Sequence, residues 1–159
     1  MKKILTSLLI VAVLATSILC CVACQKEVAF EGSAFDALKA LQETGTITME
    51  YTESAEYGAM ISKITYDGLT MGDAGWPMVY VNDRDYRDEF QGMGNDYTFK
   101  GEEFYASNKG ISSIVYKEGM KILIVYTEEV EPGPYTYGVK KGPAILFTLP
   151  NGVEKTTID

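Results

Sequence analysis

Lys121-Ile122-Leu123-Ile124-Val125-Tyr126-Thr127 holds an unbroken run of five hydrophobic residues between a lysine and a threonine. Successive side chains of a strand point to opposite faces, so a run without polar alternation is buried on both. Residues 122–126 are therefore expected to form a central strand in a sheet covered on each side.

The flanking sequence supports a β-rich chain. From Thr46 onward, β-branched and aromatic residues come in short runs separated by Gly, Asn and Asp. Ile47, Met49 and Tyr51 alternate with Thr46, Thr48 and Glu50. Residues 60–66 end at Asp67-Gly68, a two-residue hairpin signal, and Leu69 and Met71 begin the return. Further strands are expected at 78–81, at 97–100 and 103–107 across Gly101-Glu102, and at 111–116, the last paired with 121–127 around Glu118-Gly119. A Pro/Gly stretch at 131–143 encloses residues 135–140. Residues 144–149 and 153–158 then pair across Pro150-Asn151-Gly152.

Before the strands, Ser33 reads as an N-cap with Asp36 in the first turn. Phe35, Leu38 and Leu41 recur every three residues, and Gly45 ends the segment, so residues 34–43 are expected to form an amphipathic helix. Asn82 is expected to cap a second, short helix running through Phe90. The expected fold is α+β, one N-terminal amphipathic helix packed on a mostly antiparallel curved sheet or half-barrel of about eight strands. The order of signal, tether, helix and strands is similar to that of half-barrel lipoprotein carriers, without a shared motif.

Residues ahead of the helix carry an address. Lys2 and Lys3 precede an apolar run at 4–19, softened only by Thr6, Ser7, Thr16 and Ser17. A spanning helix needs roughly 20 apolar residues, so this run is short for one and suits a secretory signal. Hydrophobicity stops at Cys20-Cys21-Val22-Ala23-Cys24, and Gln25, Lys26 and Glu27 follow.

This end resembles the lipobox of bacterial lipoproteins, in which an aliphatic residue, a small residue or valine, and then Gly, Ala or Ser precede a cysteine. Val22, Ala23 and Cys24 match its last three positions, while Cys21 stands where leucine is usual. The resemblance implies that residues 1–23 are a lipoprotein signal peptide and that Cys24 receives a diacylglycerol and becomes the first residue of the mature chain. Residues 24–32 would then be a tether and 33–159 a single globular domain. Two or three acyl chains suffice for stable attachment at about 0.8 kcal/mol per buried methylene. Competing readings are a secretory signal cut after Ala23, an uncleaved membrane anchor, and a redox Cys21-Val22-Ala23-Cys24, which would need a thioredoxin-like scaffold.

Removing residues 1–23 from the 159 leaves 136, enough for one domain with a core. Cys24 is the only cysteine left, so internal disulfides play no part in the expected domain. Loss of Lys2 and Lys3 takes the basic residues from 14 to 12 against 22 acidic ones, a formal charge of -10. Such a surface disfavours nucleic acid and electrostatic binding to anionic lipid.

The chain has no histidine, the commonest general base and zinc ligand, and no phosphate-loop, dinucleotide or nucleophile-elbow motif. No catalytic residue, metal or cofactor is assigned. Asp83, Asp85, Asp88 and Glu89 crowd one stretch, but a calcium loop would need an oxygen ligand where Arg87 stands and a glycine where Asp88 stands. With Arg84 and Arg87 interleaved, a solvated surface of local ion pairs is the better reading. Trp76, Tyr80, Tyr86, Tyr135 and Tyr137 lie in or beside Gly/Pro loops and are the candidate ligand-binding residues, suited to stacking on sugars or peptides. Packing on half-buried strands is the competing role for these rings.

The expected function is a non-catalytic binding or structural role as an outward-facing, lipid-anchored component of the bacterial cell membrane, with secretion as the alternative location. Envelope glycan, peptide and apolar molecules are the possible ligands. Two rival functions are a carrier or sensor of apolar ligands with a cavity between helix and sheet, and a carboxylate-dependent hydrolase or lyase acting on envelope polysaccharide.

Overall fold

The computed structural model describes residues 31–89, 96–107, 109–131 and 133–159. The signal segment, Cys24, Phe90 and most of the tether lie outside the described residues. The chain runs α1 (Ala34–Glu43), β1 (Thr48–Ser54), β2 (Gly58–Tyr66), β3 (Leu69–Met71), β4 (Met78–Val81), β5 (Tyr97–Phe99) and β6 (Glu102–Ala106). It continues with β7 (Lys121–Val125), β8 (Thr127–Glu129), β9 (Tyr137–Val139), β10 (Gly142–Thr148) and β11 (Gly152–Ile158). All strand pairings are antiparallel.

α1 starts where its cap says it should. Ser33 Oγ accepts the Asp36 N–H at 3.2 Å, and Asp36 Oδ2 accepts the Ser33 N–H at 2.9 Å, which satisfies two otherwise orphaned donors. The apolar stripe of α1 is buried, and the Phe35 ring meets Tyr51 of β1 edge-on at 4.8 Å.

The strands form a three-stranded sheet β1-β2-β3, a six-stranded sheet β11-β10-β7-β4-β6-β5 and a two-stranded ribbon β8-β9. β7 lies between β10 and β4, the central position expected for it. Ile122 and Ile124 join a core shared with α1, Ile64 and Met71 of the three-stranded sheet, and Phe147. Leu123 and Val125 face the other way, into a second core with Tyr80, Phe99, Phe104, Leu146 and Ile158. The expectation of burial on both faces holds.

This second core draws side chains from all six strands, including both edge strands β5 and β11. A flat sheet would hold its edges roughly 24 Å apart at about 4.8 Å per strand. It must therefore curl around the cluster, and Lys100, just past β5, pairs with Glu154 of β11. The six strands make a half-barrel filled by its own residues, with α1 and the three-stranded sheet on its outer face.

Three expectations are corrected. The described residues form eleven strands in three sheets rather than about eight in one. Part of the excess comes from the long β7–β10 hairpin, which breaks at Tyr126 and at 140–141, where the Lys140 N–H bonds the Tyr126 carbonyl at 2.8 Å, before continuing as β8-β9. Residues 111–116 are not a strand beside β7. Ile111–Ser113 is a 3-10 turn, which places Ile111 and Ile114 on one buried side, and Val115 makes only an isolated bridge to Ser33. The short helix after Asn82 is a 3-10 turn, Arg84–Tyr86, whose Asp83 cap accepts the Asp85 N–H at 3.0 Å.

Candidate functional site

Two loops form a cleft at one end of the six-stranded sheet. The first follows β4 and carries Asn82, Asp83 and Arg84. The second precedes β7 and carries Lys117, Glu118, Gly119 and Met120. The cleft holds about 260 Å³ and opens to solvent.

Sequence and topology fix these walls. β4 and β7 are neighbours, so the loop leaving one lies beside the loop entering the other. Asn82 continues the ladder, donating its N–H to the Lys121 carbonyl at 3.1 Å and accepting the Lys121 N–H on Oδ1 at 2.7 Å. The 3-10 turn then brings Tyr86 under the second loop, where its hydroxyl accepts the Val115 N–H at 2.9 Å. Gly119 adopts φ 73°, which the reversal between Lys117 and Met120 requires and which costs glycine little.

Lys117 spans the cleft. Its ammonium hydrogen-bonds Asp83, lies 3.7 Å from Asp85 and sits 6.0 Å from the centre of the Tyr86 ring. That bond to Lys117 lowers the Asp83 carboxyl below its ordinary value, and Asp83 in turn raises the lysine. Arg84 and Glu118 stand differently: both are exposed, and among the described residues neither has an ion-pair partner. The lining thus offers one satisfied ion pair and two open charges of opposite sign. Among the described residues, no hydroxyl or thiol side chain lines it.

The aromatic candidates do not gather in this cleft. Tyr80 is fully buried inside the half-barrel. Tyr86 is buried beneath the second loop. Trp76 is 65% exposed in the turn before β4, and Tyr135 is 77% exposed at the tip of the β8-β9 ribbon, with Tyr137 half-buried on β9. A Cβ on Gly75, the residue before Trp76, would lie 3.6 Å from the ring of Tyr126, which precedes β8.

The crowded carboxylates do not all stay together either. Asp83 and Asp85 share Lys117, Asp88 is buried with its N–H on the Ala106 carbonyl at 2.9 Å, and Glu89 is exposed. Arg87 turns away to Asp96, with Nε 2.8 Å from both carboxylate oxygens. Among the described residues, no group of three or more His, Cys, Asp or Glu is placed to hold a metal ion, and no helix is long and apolar enough to cross a membrane.

Reading the sequence missed Lys117 and Glu118 because a Lys-Glu-Gly triplet looks like any hairpin turn. Only the pairing of β4 with β7 sets that turn opposite Asn82-Asp83-Arg84. No protein-family profile, curated protein or solved structure matches the chain.

Proposed function

We propose that the protein is an exported lipoprotein, held by a lipid on Cys24 at the outward face of a bacterial cell membrane, that works by binding rather than by catalysis. The cleft between residues 82–84 and 117–120 is its binding site.

One observation carries this reading: the chain enters the domain beside the cleft. Gly32 accepts the Tyr116 N–H at 2.9 Å, and Ala34 donates to the Ile114 carbonyl at 2.7 Å, so the tether meets the loop that supplies Lys117 and Glu118. Eight backbone steps lead from Cys24 to Gly32 and reach at most about 29 Å fully extended. A lipid on Cys24 would keep the cleft close to the membrane surface.

Filling of the space beneath α1 supports a polar ligand over the apolar carrier, because Phe35, Leu38 and Leu41 are packed in the shared core. Lys117 occupies Asp83 and lies beside Asp85, Asp88 is buried and Glu89 is exposed, which supports binding over a two-carboxylate hydrolase, whose acids must face one another across a cleft with room for the substrate between them.

The test is intact mass and membrane fractionation of the chain expressed in a bacterium with lipoprotein processing, wild type against Cys24→Ala. A mature chain starting at Cys24, heavier by two or three acyl groups and released by the substitution, is expected. Unacylated protein in the medium, cut after Ala23, would make it a secreted protein instead.

A further inference from the structure

We propose that the cleft takes a small zwitterion, one ammonium and one carboxylate or phosphate a few bonds apart. This inference rests on the cleft being the binding site.

Four charged side chains line it: Asp83, Arg84, Lys117 and Glu118. Asp83 and Lys117 neutralise one another, which leaves Arg84 on one loop and Glu118 on the other, opposite in sign and unpaired among the described residues. A guanidinium presents a planar fork that holds a carboxylate or phosphate through two hydrogen bonds, and a carboxylate accepts an ammonium. A ligand of one charge would engage only one of the two walls.

The surrounding field narrows the choice. The mature chain carries a formal charge of -10, so a free anion approaches against repulsion, while a zwitterion of zero net charge does not. Size narrows it further. The cleft's 260 Å³ lies below the 300–1,000 Å³ or so of drug-sized pockets, room for a ligand of about the bulk of an amino acid or dipeptide. Met120 is the only apolar side chain in the lining among the described residues, so an acyl chain or aromatic ring gains little there. Free amino acids or short peptides and the phosphoethanolamine group of a lipid share this chemistry.

The experiment titrates the full mature protein, in detergent if acylated, with glycylglycine and with glycerophosphoethanolamine, whose phosphodiester matches the charge of the lipid headgroup, followed by calorimetry or by NMR shifts of the 82–84 and 117–120 amides. Saturable binding of at least one is expected, and which one binds separates the peptide source from the headgroup source. N-acetylglycine, which lacks the ammonium, and ethylamine, which lacks the anion, should bind at least tenfold more weakly. Arg84→Gln and Glu118→Gln should each weaken the zwitterion at least tenfold at unchanged melting temperature. No saturation below about 10 mM by either zwitterion overturns the proposal, as does equal binding of a one-charge analogue, which would still leave the cleft a binding site. Acylation at Cys24 is read separately by mass, so the anchor and the ligand class fail or stand independently.

Discussion

Lys100, in the turn that leaves β5, pairs with Glu154 of β11, so the first and last strands of the six-stranded sheet meet without a hydrogen-bonded ladder between them. Both side chains are about half exposed, and such pairs contribute roughly 0 to 1 kcal/mol. Closure of the half-barrel must come from its contents instead. Phe104 is 1% exposed in the inner core and touches the Phe99 ring at a centroid distance of 6.4 Å. Urea denaturation should therefore show Lys100→Ala costing less than about 1 kcal/mol and Phe104→Ala about 3–5 kcal/mol. Equal losses would mean that the ion pair holds the seam.

Inside the same core, the Tyr80 hydroxyl is buried and has no hydrogen-bond partner among the described residues. A buried hydroxyl without a partner has lost its water and gained nothing, so Tyr80→Phe should leave the melting temperature unchanged or raise it. Burial, with Asp96 adding to it, pushes the phenol up to about 12 from an ordinary 10.0. The folded state then holds this proton more tightly than the unfolded one, and stability falls as pH rises from about 10 toward 12. Tyr80→Phe should flatten that part of the pH profile. A marked loss of stability at neutral pH would show that the hydroxyl does have a partner.

The elements legible in the sequence were those with local signals. Ser33 and Asp36 set the start of α1, Asp67-Gly68 set the β2–β3 turn, with φ of 44° and 75°, and the run at 122–125 announced a doubly covered strand. What stayed hidden depends on long-range pairing. Ile111 and Ile114 fit a strand by composition, yet their spacing of three serves a 3-10 turn, and β7 finds β4 some forty residues earlier in the chain. The candidate cleft was illegible for the same reason, since the loops carrying Arg84 and Glu118 come together only through that pairing. The five aromatic candidates share loop surroundings in the sequence but go to the inner core, to a buried place beneath the loop before β7, to the turn before β4 and to the ribbon.

Gly72 and Tyr126 couple the three-stranded sheet to the end of β7. The Gly72 N–H donates to the Tyr126 hydroxyl at 2.6 Å. Gly72 has φ 129°, and a Cβ there would lie 2.4 Å from the Ser62 carbonyl oxygen and 2.9 Å from Lys63 Cα, both backbone atoms. Neither can yield cheaply, so Gly72→Ala should be clearly destabilising. Tyr126→Phe removes only the hydrogen bond and should cost about 0.5–1.5 kcal/mol. Chemical denaturation of the two variants orders them, and an alanine variant as stable as the phenylalanine one would contradict the close approach.

The capping pair at α1 predicts a dependence on pH with a definite sign. Hydrogen bonds from the Ser33 side chain and then its backbone hold the Asp36 carboxyl below its ordinary 3.8. A lowered folded value means that this contribution is fully present above pH 3.8 and is lost as pH falls through the lowered value. Ser33→Ala should cost about 1 kcal/mol at pH 7, within the usual 0.5–2 for a lost N-cap. Part of that cost should persist in acid, because Ser33 Oγ accepts the Asp36 N–H whatever the charge on the carboxylate. Asp36→Asn keeps the shape and removes the charge, so its deficit against wild type should shrink as pH drops from about 5 to 2. Melting temperatures of the three proteins across that range provide the check. A deficit for Asp36→Asn that stays constant would show that the carboxylate charge contributes nothing to the cap.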